Sequence, residues 1–273
     1  MAKLGTVWER ATEFAGERAG ALAPIALAAF VVPNAASSCL GALAPALPPA
    51  TRMALAGIIL LLSVVTLWGS LAVMALATGE PGTASAARLA TRRLGPALLV
   101  SIVLGVVAAL LAAPLPAILL ARGYDVVALA AGQTGNVVID PQTSSMVALY
   151  MLVLLPVGLF LFTRLVLVSP VVLREAVSLG AIRRSWVLTR RHGWRIFGTL
   201  LLFVVIAGVA QLAARSVAGS VFALLLGGGD GLTTSFALTA IVTACVQGVV
   251  MLLLAAFQAK LYAARIAETV PAA

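Results

Sequence analysis

The chain has 273 residues, 62% of them hydrophobic and only 10% charged, with a mean hydropathy of +1.13 and a formal net charge of +9. A soluble domain carries about 25% charged and 45–50% apolar residues, so a mostly water-facing surface is excluded. One membrane domain over residues 1–273 accounts for the length and leaves no room for a soluble catalytic domain. The positive charge does not point to nucleic acid, because the arginines flank apolar runs, where they act on topology.

Residues 4–18 read as an amphipathic helix. Leu4, Val7, Trp8, Ala11, Phe14 and Ala15 gather on one face, with Glu9, Glu13 and Glu17 opposite. A first span follows at 21–47. It contains Pro24 and Pro33 as well as Asn34, Ser37 and Ser38, so it is expected to be either kinked or partly buried against its neighbours. Residues 53–78 and 96–121 are the second and third spans, separated by a segment with Arg88, Arg92 and Arg93. Residues 122–145, with Gly123, Gly132, Gly135 and Pro141, read as an irregular loop. The fourth span is 146–168.

After it, residues 178–192 place Leu179, Ile182 and Trp186 on one helical stripe and Arg183, Arg184, Arg190 and Arg191 on another face, the composition of a helix lying among headgroups. The fifth span is 196–214. Twenty residues from Arg195 cover about 30 Å, which puts Arg215 at the far interface. Residues 216–226 then continue either as a helix along that face or as a protruding end. The glycines of 227–231 break the chain before the sixth span, 235–262.

The charges fall unequally between the connecting segments. Fourteen basic residues lie in the segments before the first span, after the second, after the fourth and after the sixth. The alternate segments hold two, Arg52 and Arg122, together with Asp125, Asp140 and Asp230. By the positive-inside rule the basic side is cytoplasmic, and both termini with it. The basic segments also repeat. Thr91-Arg92-Arg93-Leu94-Gly95 recurs as Thr189-Arg190-Arg191-His192-Gly193, and Glu17-Arg18-Ala19-Gly20 stands in the same place before the first span. This gives three units, 1–78, 79–168 and 169–273, each an amphipathic helix followed by a membrane hairpin.

Chemistry-bearing residues are few. Trp8, Trp186 and Trp194 are placed as interfacial anchors. Arg92, Arg93, Arg183, Arg184, Arg190 and Arg191 are placed to contact anionic headgroups, each contributing about 1 kcal/mol near such a surface. Arg164, near the basic end of its span, either snorkels to the headgroups or pairs with Glu175. Glu175 is the one acid of a basic stretch and is placed to brace the turn after Pro170 through Arg164 or Arg184. Gln211 and Gln247 either bond between helices or line a polar cavity. Cys39 and Cys245 fall at different depths, so no disulfide is expected. There is one histidine, His192, and no Ser/His/Asp set, phosphate loop or metal-ligand spacing. Catalytic, cofactor-binding and metal-binding residues are therefore assigned to none, and no cofactor is expected.

The stretch from Arg164 to Arg195 resembles the bacterial membrane-domain family named after glycerophosphoryl diester phosphodiesterases and the related YciC-type inner-membrane proteins. The likeness rests on Arg164, Pro170, Glu175, the Ala-x-x-Arg-Ser-Trp run from Ala181 to Trp186, Leu188-Thr189 and Trp194-Arg195. It implies a multi-pass protein of the bacterial inner membrane. The phosphodiesterase activity behind the family name belongs to a separate soluble barrel with paired histidines, and is not expected of this chain. The overall expectation is an all-α polytopic protein with six transmembrane helices and amphipathic cytoplasmic helices. Its expected role is a non-enzymatic module that contacts anionic inner-leaflet lipid or holds a membrane-protein partner or a second copy of itself. The alternative is a small-solute or lipid transporter. Nucleic acid is not expected as a partner.

Overall fold

A computed structural model describes residues 4–44, 47–126, 129, 140–175, 177–190, 193–227 and 233–269. Among them there is no strand. The helices are α1 (Leu4–Glu17), α2 (Ala19–Ala26), a π turn (Leu27–Val31), α3 (Val32–Leu43), α4 (Pro49–Ala77), α5 (Thr83–Ala112), α6 (Pro114–Ala121), α7 (Pro141–Leu165), α8 (Val168–Glu175), α9 (Gly180–Thr189), α10 (Gly193–Leu226) and α11 (Thr234–Thr269). Six helical runs are long and apolar enough to cross a membrane: Ala19–Leu43, Pro49–Ala77, Thr83–Ala121, Pro141–Glu175, Ile196–Leu226 and Thr234–Ala267. The protein is an all-α polytopic membrane protein.

The expected kink of the first span takes the form of the π turn. Pro33 has no N–H to offer the carbonyl of Ala29, and its ring crowds that carbonyl. The wider turn sits just before it. The Val32 N–H donates to Leu27 O, five residues back, and the Asn34 side chain donates to Phe30 O at 2.7 Å. These two bonds keep donors on carbonyls of the turn, and the helical run continues rather than ending.

Several boundaries differ from the sequence expectation. The fourth run spans Pro141–Glu175 rather than 146–168, so 141–145 are helix rather than loop, and most of the remaining expected loop lies outside the described residues. The segment with Arg88, Arg92 and Arg93 is the beginning of α5 itself, not a separate amphipathic helix. The alanines and leucine of residues 84–90 favour helix, and Pro96 lies within α5 without ending it. At the far end, residues 216–226 prolong α10 in one helix of 34 residues. That is the protruding-end alternative, and the helix stops at Gly227, whose φ of +84° only glycine adopts readily.

α11 runs through the centre of the bundle, packing against α1, α3, α4, α8, α10 and the π turn. The close approach at the π turn depends on two glycines. A Cβ on Gly69 of α4 would lie 2.3 Å from Ala29 Cβ, and one on Gly248 of α11 would lie 3.0 Å from Val31 Cγ2. The buried core lies toward the end that carries the basic residues. Leu71, Val73 and Leu76 of α4, Leu167, Val171 and Leu173 around α8, Ile196 and Leu200 of α10, and Phe257 and Leu261 of α11 are all buried there. Toward mid-span and the opposite end the side chains turn outward: Leu61, Leu110, Leu152 and Leu212 are each about two-thirds exposed. Such apolar flanks suit acyl chains as solvent. The two cysteines, Cys39 and Cys245, are free.

Candidate functional site

The basic end is organised first around the last turn of α4. A helix C-terminus leaves carbonyls unpaired and carries partial negative charge. Gly79, with a φ of +109°, turns the chain back here. Arg174, arriving from α8, spans the turn: its Nε donates to Thr78 Oγ1 at 2.8 Å, its Nη2 to Thr78 O at 2.9 Å, and its Nη1 pairs with Glu80 Oε1 at 3.3 Å. Arg18, just past α1, donates to Glu80 O at 3.3 Å. The latch thus ties α1, α4 and α8. Sequence reasoning assigned roles to neither Arg174 nor Glu80. The available signal was that Glu80 is the only acid between the second and third spans.

A second cluster forms beside it. Glu175 accepts from Arg184 Nε at 3.2 Å and from Tyr262 Oη at 3.2 Å, so of its two proposed partners it takes Arg184. Arg164 does not pair with Glu175. Its guanidinium lies over Phe160 at 5.1 Å and over Trp186 at 5.3 Å, measured to the ring centres. Its Nε and Nη1 are buried with no hydrogen-bond acceptor. The aromatic quadrupoles supply the electrostatic attraction that a carboxylate would otherwise give. The Ser185 hydroxyl donates to Arg164 O at 2.7 Å, which fixes α9 against the end of α7. Gly193 adds the start of α10: a Cβ there would sit 3.6 Å from the guanidinium carbon.

The residues expected to meet lipid divide into two groups. Arg92, Arg183 and Arg190 are exposed and have no ion-pair partner among the described residues. Trp194 is 83% exposed, edge-on to Phe197 at 5.2 Å. Trp186 is partly exposed but also forms one wall of the Arg164 cage. Arg93 is half-buried, and Arg184 is engaged with Glu175. Arg191 and His192 lie outside the described residues. Trp8 is turned inward, its ring 5.7 Å from Phe203 and 6.0 Å from Phe257. The stripe below it, Val7, Ala11 and Phe14, is buried against the bundle. α1 therefore packs Val7, Ala11 and Phe14 of its apolar face on the protein core, with Trp8 half-buried at the edge of that contact.

Gln211 and Gln247 bond to one another, Nε2 of the first to Oε1 of the second, and pin α10 to α11. Gln211 Oε1 is buried without a partner. The cavities lie elsewhere. A groove of about 490 Å³ runs between α1, α10 and α11, walled by Gly5, Trp8, Leu202, Phe203, Ile206 and Leu253 among others, and is almost wholly apolar. A smaller cavity of about 230 Å³ at the basic end is lined by Arg10, Glu13, Glu17, Arg18 and Lys260 with the turn after α4. Among the described residues, no group of three His, Cys, Asp or Glu side chains is placed to hold a metal ion.

Residues 5–265 match the model of a family described as a domain of unknown function, DUF7847. No curated protein and no solved structure matches the chain.

Proposed function

We propose that this chain, which belongs to the DUF7847 family, is a non-enzymatic membrane module that gathers anionic lipid of the inner leaflet around its basic, cytoplasmic end. The observation that carries the reading is the division among the arginines. Arg174, Arg184 and Arg164 are consumed by internal contacts, whereas Arg92, Arg183 and Arg190, like Trp194, stand exposed, and the three arginines have no ion-pair partner among the described residues. Three such charges near an anionic surface contribute about 3 kcal/mol together, and salt weakens that attraction over a Debye length of about 8 Å at physiological ionic strength. Purified protein reconstituted with mixed zwitterionic and anionic lipid should retain anionic lipid selectively. The triple variant Arg92→Gln, Arg183→Gln, Arg190→Gln should lose that selectivity while keeping its fold. Unchanged lipid selectivity in the triple variant would reject the proposal.

The transporter alternative draws less support. The glutamines that would have served a polar pathway are bonded to one another, and the groove between α1, α10 and α11 is apolar. A scaffold for a partner protein uses the same exposed end and is separated by the same experiment, since a protein partner leaves lipid selectivity untouched.

A further inference from the structure

The smaller cavity at the basic end differs from the surrounding surface in how its charges are left. Of its five charged residues, Arg10, Arg18 and Lys260 are bases and Glu13 and Glu17 are acids. Acids and bases this close ordinarily pair, yet no ion pair joins any of these five to one another, whereas Arg174–Glu80 and Arg184–Glu175 do pair nearby. Phe14 at the cavity wall serves two cations at once. The Lys260 ammonium lies 5.0 Å from its ring centre and the Arg18 guanidinium 5.8 Å. One ring's quadrupole attracts both cations but does not neutralise their mutual repulsion.

Of these three bases the turn after α4 engages only Arg18, through Glu80 O at 3.3 Å, and it offers nothing to Lys260 among the described residues. The carbonyls of Met74, Ala75 and Leu76 already accept from the N–H groups of Thr78, Gly79 and Glu80, and Thr78 O accepts from Arg174. Lys260 has three N–H donors, is half-buried, and has no acceptor among the described residues. Glu13, Glu17, Arg10 and Arg18 are all exposed, where water and salt screen them alike. Lys260 is screened less, so the cavity floor is the positive part. A half-buried ammonium without an acceptor, facing two arginines across an open cavity, is the arrangement an oxyanion completes.

We propose that this cavity binds a phosphate group through Lys260, Arg18 and Arg10, carried either by a lipid headgroup or by a soluble phosphoester. This is a defined site on α1 and α11, beyond the diffuse surface attraction of Arg92, Arg183 and Arg190.

Two arms separate the sources. In the first, inorganic phosphate and glycerol phosphate are titrated calorimetrically into the protein in uncharged detergent. In the second, bound lipid is counted by native mass spectrometry from nanodiscs of phosphatidylcholine with and without phosphatidylglycerol. Lys260→Gln and Arg10→Gln should each weaken binding about fivefold in the arm that shows it. Lys260→Arg, which keeps the charge and the contact with Phe14, should retain it, and the Arg183→Gln, Arg190→Gln double variant should leave the titration unchanged. Binding in the first arm identifies a soluble phosphoester, and binding confined to the second identifies a headgroup. No binding in either arm, or equal binding by wild type and Lys260→Gln, overturns the proposal. Failure of the surface reading shows separately, as lipid selectivity kept by the triple surface variant and reduced by Lys260→Gln.

Discussion

Alanine at position 69 should weaken the bundle even though alanine is the better helix former. Gly69 lies in the middle of α4, where Gly→Ala alone favours the helix by about 1 kcal/mol. Here the added methyl would meet Ala29 Cβ at 2.3 Å, Phe30 Cε1 at 3.3 Å and Ala29 Cα at 3.6 Å. Carbon atoms pack at about 3.5–4.0 Å, so α4 and the π turn would have to part by roughly 1.2 Å. Ala29 has no side-chain torsion with which to yield, and it is fully buried. The turn cannot retreat, because Gly248 of α11 closes its other side, with room for a Cβ only 3.0 Å from Val31 Cγ2. Overpacking of this kind costs about 1–3 kcal/mol, or more where both contacts are backbone-anchored. The net expectation is a loss of up to about 2 kcal/mol. Unfolding by sodium dodecyl sulfate titration in mixed micelles, followed by far-UV circular dichroism, measures it. Gly105→Ala is the control, since nothing lies within 4 Å of its Cβ position, and it should be neutral or stabilising. A Gly69→Ala protein as stable as Gly105→Ala would refute the close approach. A stability restored by adding Ala29→Gly would locate the clash.

Arg174→Ala should cost about 2–3 kcal/mol in the same titration, because it strips Thr78 O and Glu80 of a charged partner in a half-buried setting; a loss under about 0.5 kcal/mol would discard the latch. Arg174→Lys should recover only part of it, one ammonium being unable to span three acceptors in a fixed fork. Gln211→Leu should cost about 1 kcal/mol by leaving Gln247 unpaired, while Gln211→Leu with Gln247→Leu should be nearer to wild type. A double variant worse than the sum of the singles would show that the amides do more than satisfy each other. In a background with Cys39 and Cys245 replaced, single cysteines at the exposed positions Thr91 and Gln142 should react with impermeant maleimide from opposite sides of a sealed vesicle, and same-side labelling would reject the threading.

Some residues were placed well by sequence patterning and others were not. The Glu175–Arg184 contact was one of two alternatives that spacing allowed, since the residues lie nine apart on either side of one short turn. The Gln211–Gln247 bond was likewise one of two, because two glutamines in a single hairpin have few other polar partners. Arg164 did not take the Glu175 partner offered for it, and its aromatic contacts went unread. Its aromatic partners are local in sequence, but Trp186 had been assigned to the interface, and stacking leaves no charge-pair signature to read. α1 illustrates a further limit. An amphipathic stripe states that a helix has an apolar face to bury, and it is silent on whether lipid or protein buries it.

The six membrane runs and the segregation of charge are properties of windows of about twenty residues, summed along the chain without reference to any distant residue. That is why the sequence alone determined them. Partner choice is not local. Arg174 and Thr78 are separated by 96 positions, and Tyr262 and Glu175 by 87. Only the packing of α8 against α4 and α11 decided which arginines are used up as structural bonds and which are left free. In a low-dielectric setting each guanidinium must find an acceptor, a ring or water, and the bundle geometry alone determines which of these lies within reach.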